Sequence, residues 1–100
     1  MEQIKIIGIK ELDDSEVEIV NRLTKEYYSK IQRAIKNITS IVIHVKTYNV
    51  TGKRKQYEIN VKVVAPTKTF DSKAVEWDLA KALHIALGKV ERMIEHRFHD

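Results

Sequence analysis

Gln56-Tyr57-Glu58-Ile59-Asn60-Val61-Lys62-Val63 alternates polar and apolar residues without a break. A period of two belongs to a strand whose successive side chains leave on opposite faces. Tyr57, Ile59, Val61 and Val63 therefore face a core, and Gln56, Glu58, Asn60 and Lys62 face water. Just upstream, Ser40 to Tyr48 repeats the pattern, with Ile41, Ile43 and Val45 on one side and Val42, His44, Lys46 and Tyr48 on the other. Asn49 to Arg54 joins the two as a hairpin in which Gly52 is free to take positive φ. Downstream, Pro66-Thr67 marks a second turn, leading into Lys68–Ala74 with Phe70, Ser72 and Ala74 inward. Gln3 to Ile9 is a short β-branched run closed by Gly8, read as the opening strand.

Two stretches have helical rather than strand spacing. Asp13, Asp14 and Ser15 offer N-cap side chains, with Glu16 and Glu18 in the first turn. From there Val20, Leu23, Tyr27, Ile31, Ala34, Ile35 and Ile38 recur at intervals of three and four, and the helix should end near Lys36-Asn37. Val75, Leu79, Leu83, Leu87, Val90 and Ile94 form the second stripe; Asp78 is the preferred N-cap and the end lies near Phe98, although a start as early as Ser72 also fits. The order is β-α-β-β-β-α. A right-handed crossover makes the second strand parallel to the first, and hairpins make the third and fourth antiparallel. The expected fold class is α+β, a two-layer sandwich of a four-stranded mixed sheet with two helices on one face.

The chain has 100 residues, of which 43% are hydrophobic, with three glycines and one proline; a single domain over residues 1–100 is expected. Without cysteine there is no disulfide framework, thiolate metal site or cysteine nucleophile. Met1-Glu2-Gln3 lacks the layout of a secretory signal, and no apolar run approaches the ~18 residues that cross a bilayer, so a soluble cytoplasmic protein is expected. The net charge of +4 is unevenly placed: residues 1–30 hold seven acids and five bases, 31–73 two acids and nine bases, and 74–100 five acids and four bases. Excess charge in the middle of the chain suits a polyanionic partner, because clustered Lys and Arg release counterions from phosphate backbones. A mixed solvated surface would give the same count.

The last helix carries a more specific signal. Asp78-Leu79-Ala80-Lys81-Ala82-Leu83 is similar to a segment of Asp, Met or Leu, two variable residues, then Ala and Ile or Leu. Lys89-Val90-Glu91-Arg92-Met93-Ile94 is similar to a Lys-Leu-x-Arg-Gln-Leu turn, Ile6-Ile7-Gly8 to an opening strand, and Lys30-Ile31 to a Lys-Leu pair on a first helix. In these features and in its element order, the chain resembles the ribosome hibernation promoting factor family, the ribosome-associated translation inhibitors, in their short, single-domain form. It departs from that pattern at Ala80, where the family carries an aromatic residue, and at His84, where it carries an acid or amide. The resemblance implies binding to rRNA of the small ribosomal subunit, in the channel of messenger and transfer RNA, and inhibition of translation without chemistry.

Basic residues can also be placed without the resemblance. Parallel helices bring their C-terminal halves to one end of the domain, and with them Lys30, Arg33, Lys36, Lys89, Arg92 and Arg97; Lys68, in the turn before the fourth strand, joins them. The alternative is that bases near helix C-termini complement the helix dipole at ~0.3–1 kcal/mol each. Lys53-Arg54-Lys55 forms a second basic spot at the opposite end, able to grip phosphate or merely to keep a turn solvated. On the open sheet face, Tyr48 is the one aromatic among His44, Lys46, Asn60 and Lys62, which disfavours recognition by base stacking and leaves phosphate contact.

Other features have structural readings. Trp77 reads as a core or staple residue, Gly88 as a site of close helix approach, and Asp13-Asp14 as capping. His96 and His99 lack a third ligand, so no metal is expected. No phosphate loop or nucleophile motif is present; neither an enzyme, a cofactor nor a small-molecule substrate is expected. Two other functions stay open: a dimerising protein-interaction module, and a general structured-RNA-binding domain. Salt dependence separates phosphate binding from apolar pairing.

Overall fold

A computed structural model describes residues 4–35, 38, 40–49, 52 and 54–98. The elements are β1 (Ile4–Ile7), a 3-10 turn (Ile9–Glu11), α1 (Asp14–Ala34), β2 (Ser40–Asn49), β3 (Lys55–Val64), β4 (Thr69–Glu76) and α2 (Leu79–Phe98). The sheet order is β1-β2-β3-β4, with β1 parallel to β2 and the remaining pairs antiparallel. This is the expected α+β sandwich.

The alternation quoted above holds in detail. Ile59 and Val63 are fully buried, Val61 and Tyr57 nearly so, and the facing Ile41, Ile43 and Val45 of β2 lie beside them. Phe70 and Ala74 of β4 are buried as well, and the Ser72 hydroxyl donates to the Ala86 carbonyl of α2 at 2.6 Å. Val20, Leu23 and Ile31 of α1 and Leu83, Leu87, Val90 and Ile94 of α2 complete the core from the helical layer. Ala82 and Ala86, fully buried, let α2 lie close to the sheet.

Both helix starts follow from side-chain capping. Asp13 accepts from the Glu16 backbone N–H at 2.8 Å while Glu16 accepts from the Asp13 N–H at 3.0 Å, a reciprocal capping box. The Glu16 backbone N–H, then the Ser15 hydroxyl, hold the Asp13 carboxyl below its usual range. Asp78 caps α2 by accepting from the Lys81 N–H at 2.8 Å, so the helix begins at Leu79 and not at Ser72. Glu16 also accepts from the Tyr57 hydroxyl, and burial followed by that bond pushes the Tyr57 pKa up to about 12. The start of α1 is thereby tied to β3.

Three boundaries differ from expectation by two residues or more. β1 stops at Ile7, because Gly8 turns at φ 93 into the 3-10 turn. α1 ends at Ala34; Ile35 is already extended, at φ −125 and ψ 116, yet stays buried. Lys36 and Asn37 lie outside the described residues. β4 continues past Ala74 to Glu76 because β3 offers partners as far as Tyr57.

Gly88 also departs from its reading. A Cβ there would stand 3.9 Å from the Tyr27 hydroxyl and 3.5 Å from the Arg92 guanidinium, ordinary contact distances. The helices are close but leave room for a methyl. Gly88→Ala is therefore expected to stabilise the protein by about 0.5–1 kcal/mol through helix propensity and loss of unfolded-state entropy. Thermal denaturation reads this as a rise of a few degrees; a fall would show that the helices pack more tightly than the distances indicate.

Candidate nucleic-acid interface

The two helices run parallel, and their contacts advance together along both chains. Tyr27 meets His84, with Oη and Nδ1 3.0 Å apart and the rings edge-on at 5.7 Å. Further along, Lys30, Arg33 and Ala34 of α1 and Glu91 and Glu95 of α2 line an open cleft of about 350 Å³. The Lys30 ammonium sits 4.8 Å over the Tyr27 ring, and the Arg33 Nε donates to the Ser29 carbonyl at 3.4 Å. Both cations are exposed, and among the described residues neither forms an ion pair.

Lys89 and Arg92 lie on the other flank of α2, in a groove against the edge strand β4. Lys73, Met93 and His96 share that groove with Asp71 and Ser72. The Lys89 ammonium donates to the Lys73 carbonyl at 3.2 Å, which fixes its stem along the strand edge. The Arg92 guanidinium reaches back over Gly88 and so stands on the ridge between groove and cleft. Lys68 is exposed in the β3–β4 turn at this same end, where the Ala65 N–H donates to the Lys68 carbonyl at 2.9 Å; its ammonium is 5.8 Å from the Phe70 ring centroid. Arg97 is exposed on the last turn of α2.

The structure thus brings Lys30, Arg33, Lys68, Lys89, Arg92 and Arg97 to one end, but divides them. Glu91 and Glu95 separate the Lys30–Arg33 pair from the Lys89–Arg92 pair. Periodicity sorts a helix into buried and exposed positions without saying which flank meets a neighbouring helix, so it does not place these acids between the two pairs. Lys73 was missed too, although its outward place in the β4 alternation was readable. Lys36 and Lys53 lie outside the described residues, as does His99 of the His96–His99 pair.

Lys55 turns to the helical side and pairs with Glu16 at 4.0 Å, while the Arg54 guanidinium stacks 4.2 Å from the centre of the Trp77 ring. Trp77 is no core residue: it is 43% exposed, like Tyr48. Lys46 pairs at 3.6 Å with Glu58, whose carboxyl is held below its usual range by the Asn60 amide donating at 2.8 Å, then by Lys73 and Lys46.

A four-stranded mixed sheet with two parallel helices on one face and a basic helical end defines the class of structure. Within that class, the chain is similar to a ribosomal subunit interface protein from Coxiella burnetii, at a TM-score of 0.71 and 17% identity over 97% of this chain and 98% of the other. The N-terminal domain of Thermus thermophilus Protein Y is also similar, at a TM-score of 0.65 and 14% identity over 96% and 97% of the two chains. At such identities the likeness shows a shared fold. No protein-family model and no curated protein matches the sequence.

Proposed function

We propose that the protein is a ribosome-binding factor of the cytoplasm. It sits on rRNA of the small subunit, occupies the channel of messenger and transfer RNA, and inhibits translation stoichiometrically, without chemistry. The carrying observation is the gathering of Lys30, Arg33, Lys68, Lys89 and Arg92 at the C-terminal ends of two parallel helices. Support comes from the fold, shared nearly end to end with a protein described as a ribosomal subunit interface protein.

Mostly lysine and arginine on exposed stems, such a surface reads phosphate positions more than base edges. Discrimination then comes from the shape of a preformed RNA cleft. Sedimentation with purified ribosomal subunits tests this. The protein is expected to travel with the small subunit at low salt. If about five phosphates are neutralised, affinity should fall roughly 10²–10³-fold between 50 and 200 mM salt. Absence from every ribosomal fraction, or binding indifferent to salt, would end the proposal.

A further inference from the structure

We propose that the open face of the sheet, at its hairpin end, is a stacking platform for single-stranded RNA built from Tyr48, Trp77 and Arg54. The sequence puts one aromatic on this face; the structure puts two. Tyr48 lies opposite Gln56 in the β2–β3 ladder, and Trp77 follows one step beyond the last β3–β4 pair, Tyr57–Glu76. Tyr48 and Trp77 therefore flank Gln56, two strand spacings or roughly 10 Å apart.

Two large aromatic side chains, each 43% exposed, stand in one cross-strand row of the water-facing sheet surface, where the Tyr48 hydroxyl donates to Glu58 at 3.4 Å and Trp77 lies under Arg54. Trp77 already shows what it can hold, since Arg54 is stacked over its ring. The planar guanidinium extends the platform, because bases stack on arginine planes as well as on aromatic rings. Between the rings, the Gln56 amide offers a donor and an acceptor to a base edge or a 2′-hydroxyl, the group that distinguishes RNA.

Charge on the face selects a polyanion over a second copy of this chain. By strand alternation Lys5, Lys46, Lys62 and Lys73 lie on the open side, and Arg54 joins them through its stack. Among the described strand residues on that side, two carboxylates oppose these five cations, Glu58 and Asp71, and Glu58 is already matched by Lys46. Val75, 41% exposed, adds an apolar neighbour to Trp77 on β4, opposite Glu58, but copies pairing through this face would bring lysines against lysines.

The inference does not depend on ribosome binding, and its test uses free RNA. Trp77 is the only tryptophan in the chain, so its emission reports the platform alone. Titration with an unstructured 12-nucleotide RNA is expected to quench that emission at low salt. An abasic phosphodiester of equal length should bind at least tenfold more weakly. Tyr48→Ala and Trp77→Ala, followed by anisotropy of a labelled RNA, should each weaken binding about 5- to 100-fold, the range for losing one base stack. Circular dichroism should show both variants folded, since both side chains are exposed.

Equal binding of RNA and abasic backbone would overturn the proposal in favour of phosphate contact alone. Equal binding of DNA of the same sequence would overturn the selection of RNA. Emission that shifts with protein concentration in the absence of RNA would assign the face to self-association.

Discussion

Replacing Arg33, Lys89 and Arg92 together by glutamate is expected to abolish association with the small subunit. Each position is exposed, and the three span the cleft, the ridge and the groove of the basic end. A charge-assisted contact contributes at least about 1.5 kcal/mol, close to a factor of ten, so losing three lowers affinity roughly 10³-fold before added repulsion. The salt slope should flatten by nearly one unit per lost contact. A glutamate at position 33 would stand beside Glu91 and Glu95, so the neutral Arg33→Gln in the same background separates lost binding from local repulsion. Co-sedimentation and thermal denaturation provide the two readouts. Unchanged affinity in a folded variant would remove the site from the helical end.

The second large effect is on stability. Gly8→Ala places a Cβ 2.0 Å from the Val45 carbonyl oxygen, backbone against backbone, at a φ of 93 that side-chain-bearing residues rarely adopt. Neither partner is a flexible side chain that can swing aside. β1 must then part from β2, or the turn into α1 must be rebuilt. A loss of about 3 kcal/mol is expected, from a total that for such domains is ~5–15 kcal/mol. In a domain of this size that lowers the melting temperature by roughly 10–20 °C. A drop of only one or two degrees would mean that β1 ends loosely and that its pairing contributes little. With Gly88→Ala expected to act in the opposite direction, two glycines of one chain give opposite signs for the same chemical change.

The architecture was largely legible because its signals are local and redundant. Gln56–Val63 alternates strictly, Asp13 and Asp78 cap where the stripes begin, and Phe70 and Ala74 keep their phase with Val63 and Ile59 across the ladder. Element ends were less legible because partners set them: Glu76 stays in β4 since Tyr57 is there to pair with it, and Ile35 leaves the helix while remaining buried. Of the candidate site, the common end of the cations followed from topology alone. Glu91 and Glu95 between them did not, because the flank each residue takes depends on how two helices rotate against each other. Trp77 was misplaced for a related reason. An aromatic before a helix cap reads as a staple, and only the continued alternation of β4 through Val75 turns it outward.

Parallel helices also determine how the molecule meets a partner in time. Asp13, Asp14, Glu16 and Asp78 stand at the helix starts, while Lys30, Arg33, Lys89 and Arg92 stand towards their ends and outnumber Glu91 and Glu95 there, so the two helices carry net side-chain charge of opposite sign at their two ends. Each helix adds about half a positive charge at its start and half a negative one at its end, too little to undo that sorting. In the field of a polyanion such a body turns before it touches, presenting its cationic end first. Steering of this kind raises association rates by ~10-fold or more at low salt and fades as ions screen it. On the proposed function, salt then acts on the rate of arrival as well as on the lifetime of the complex.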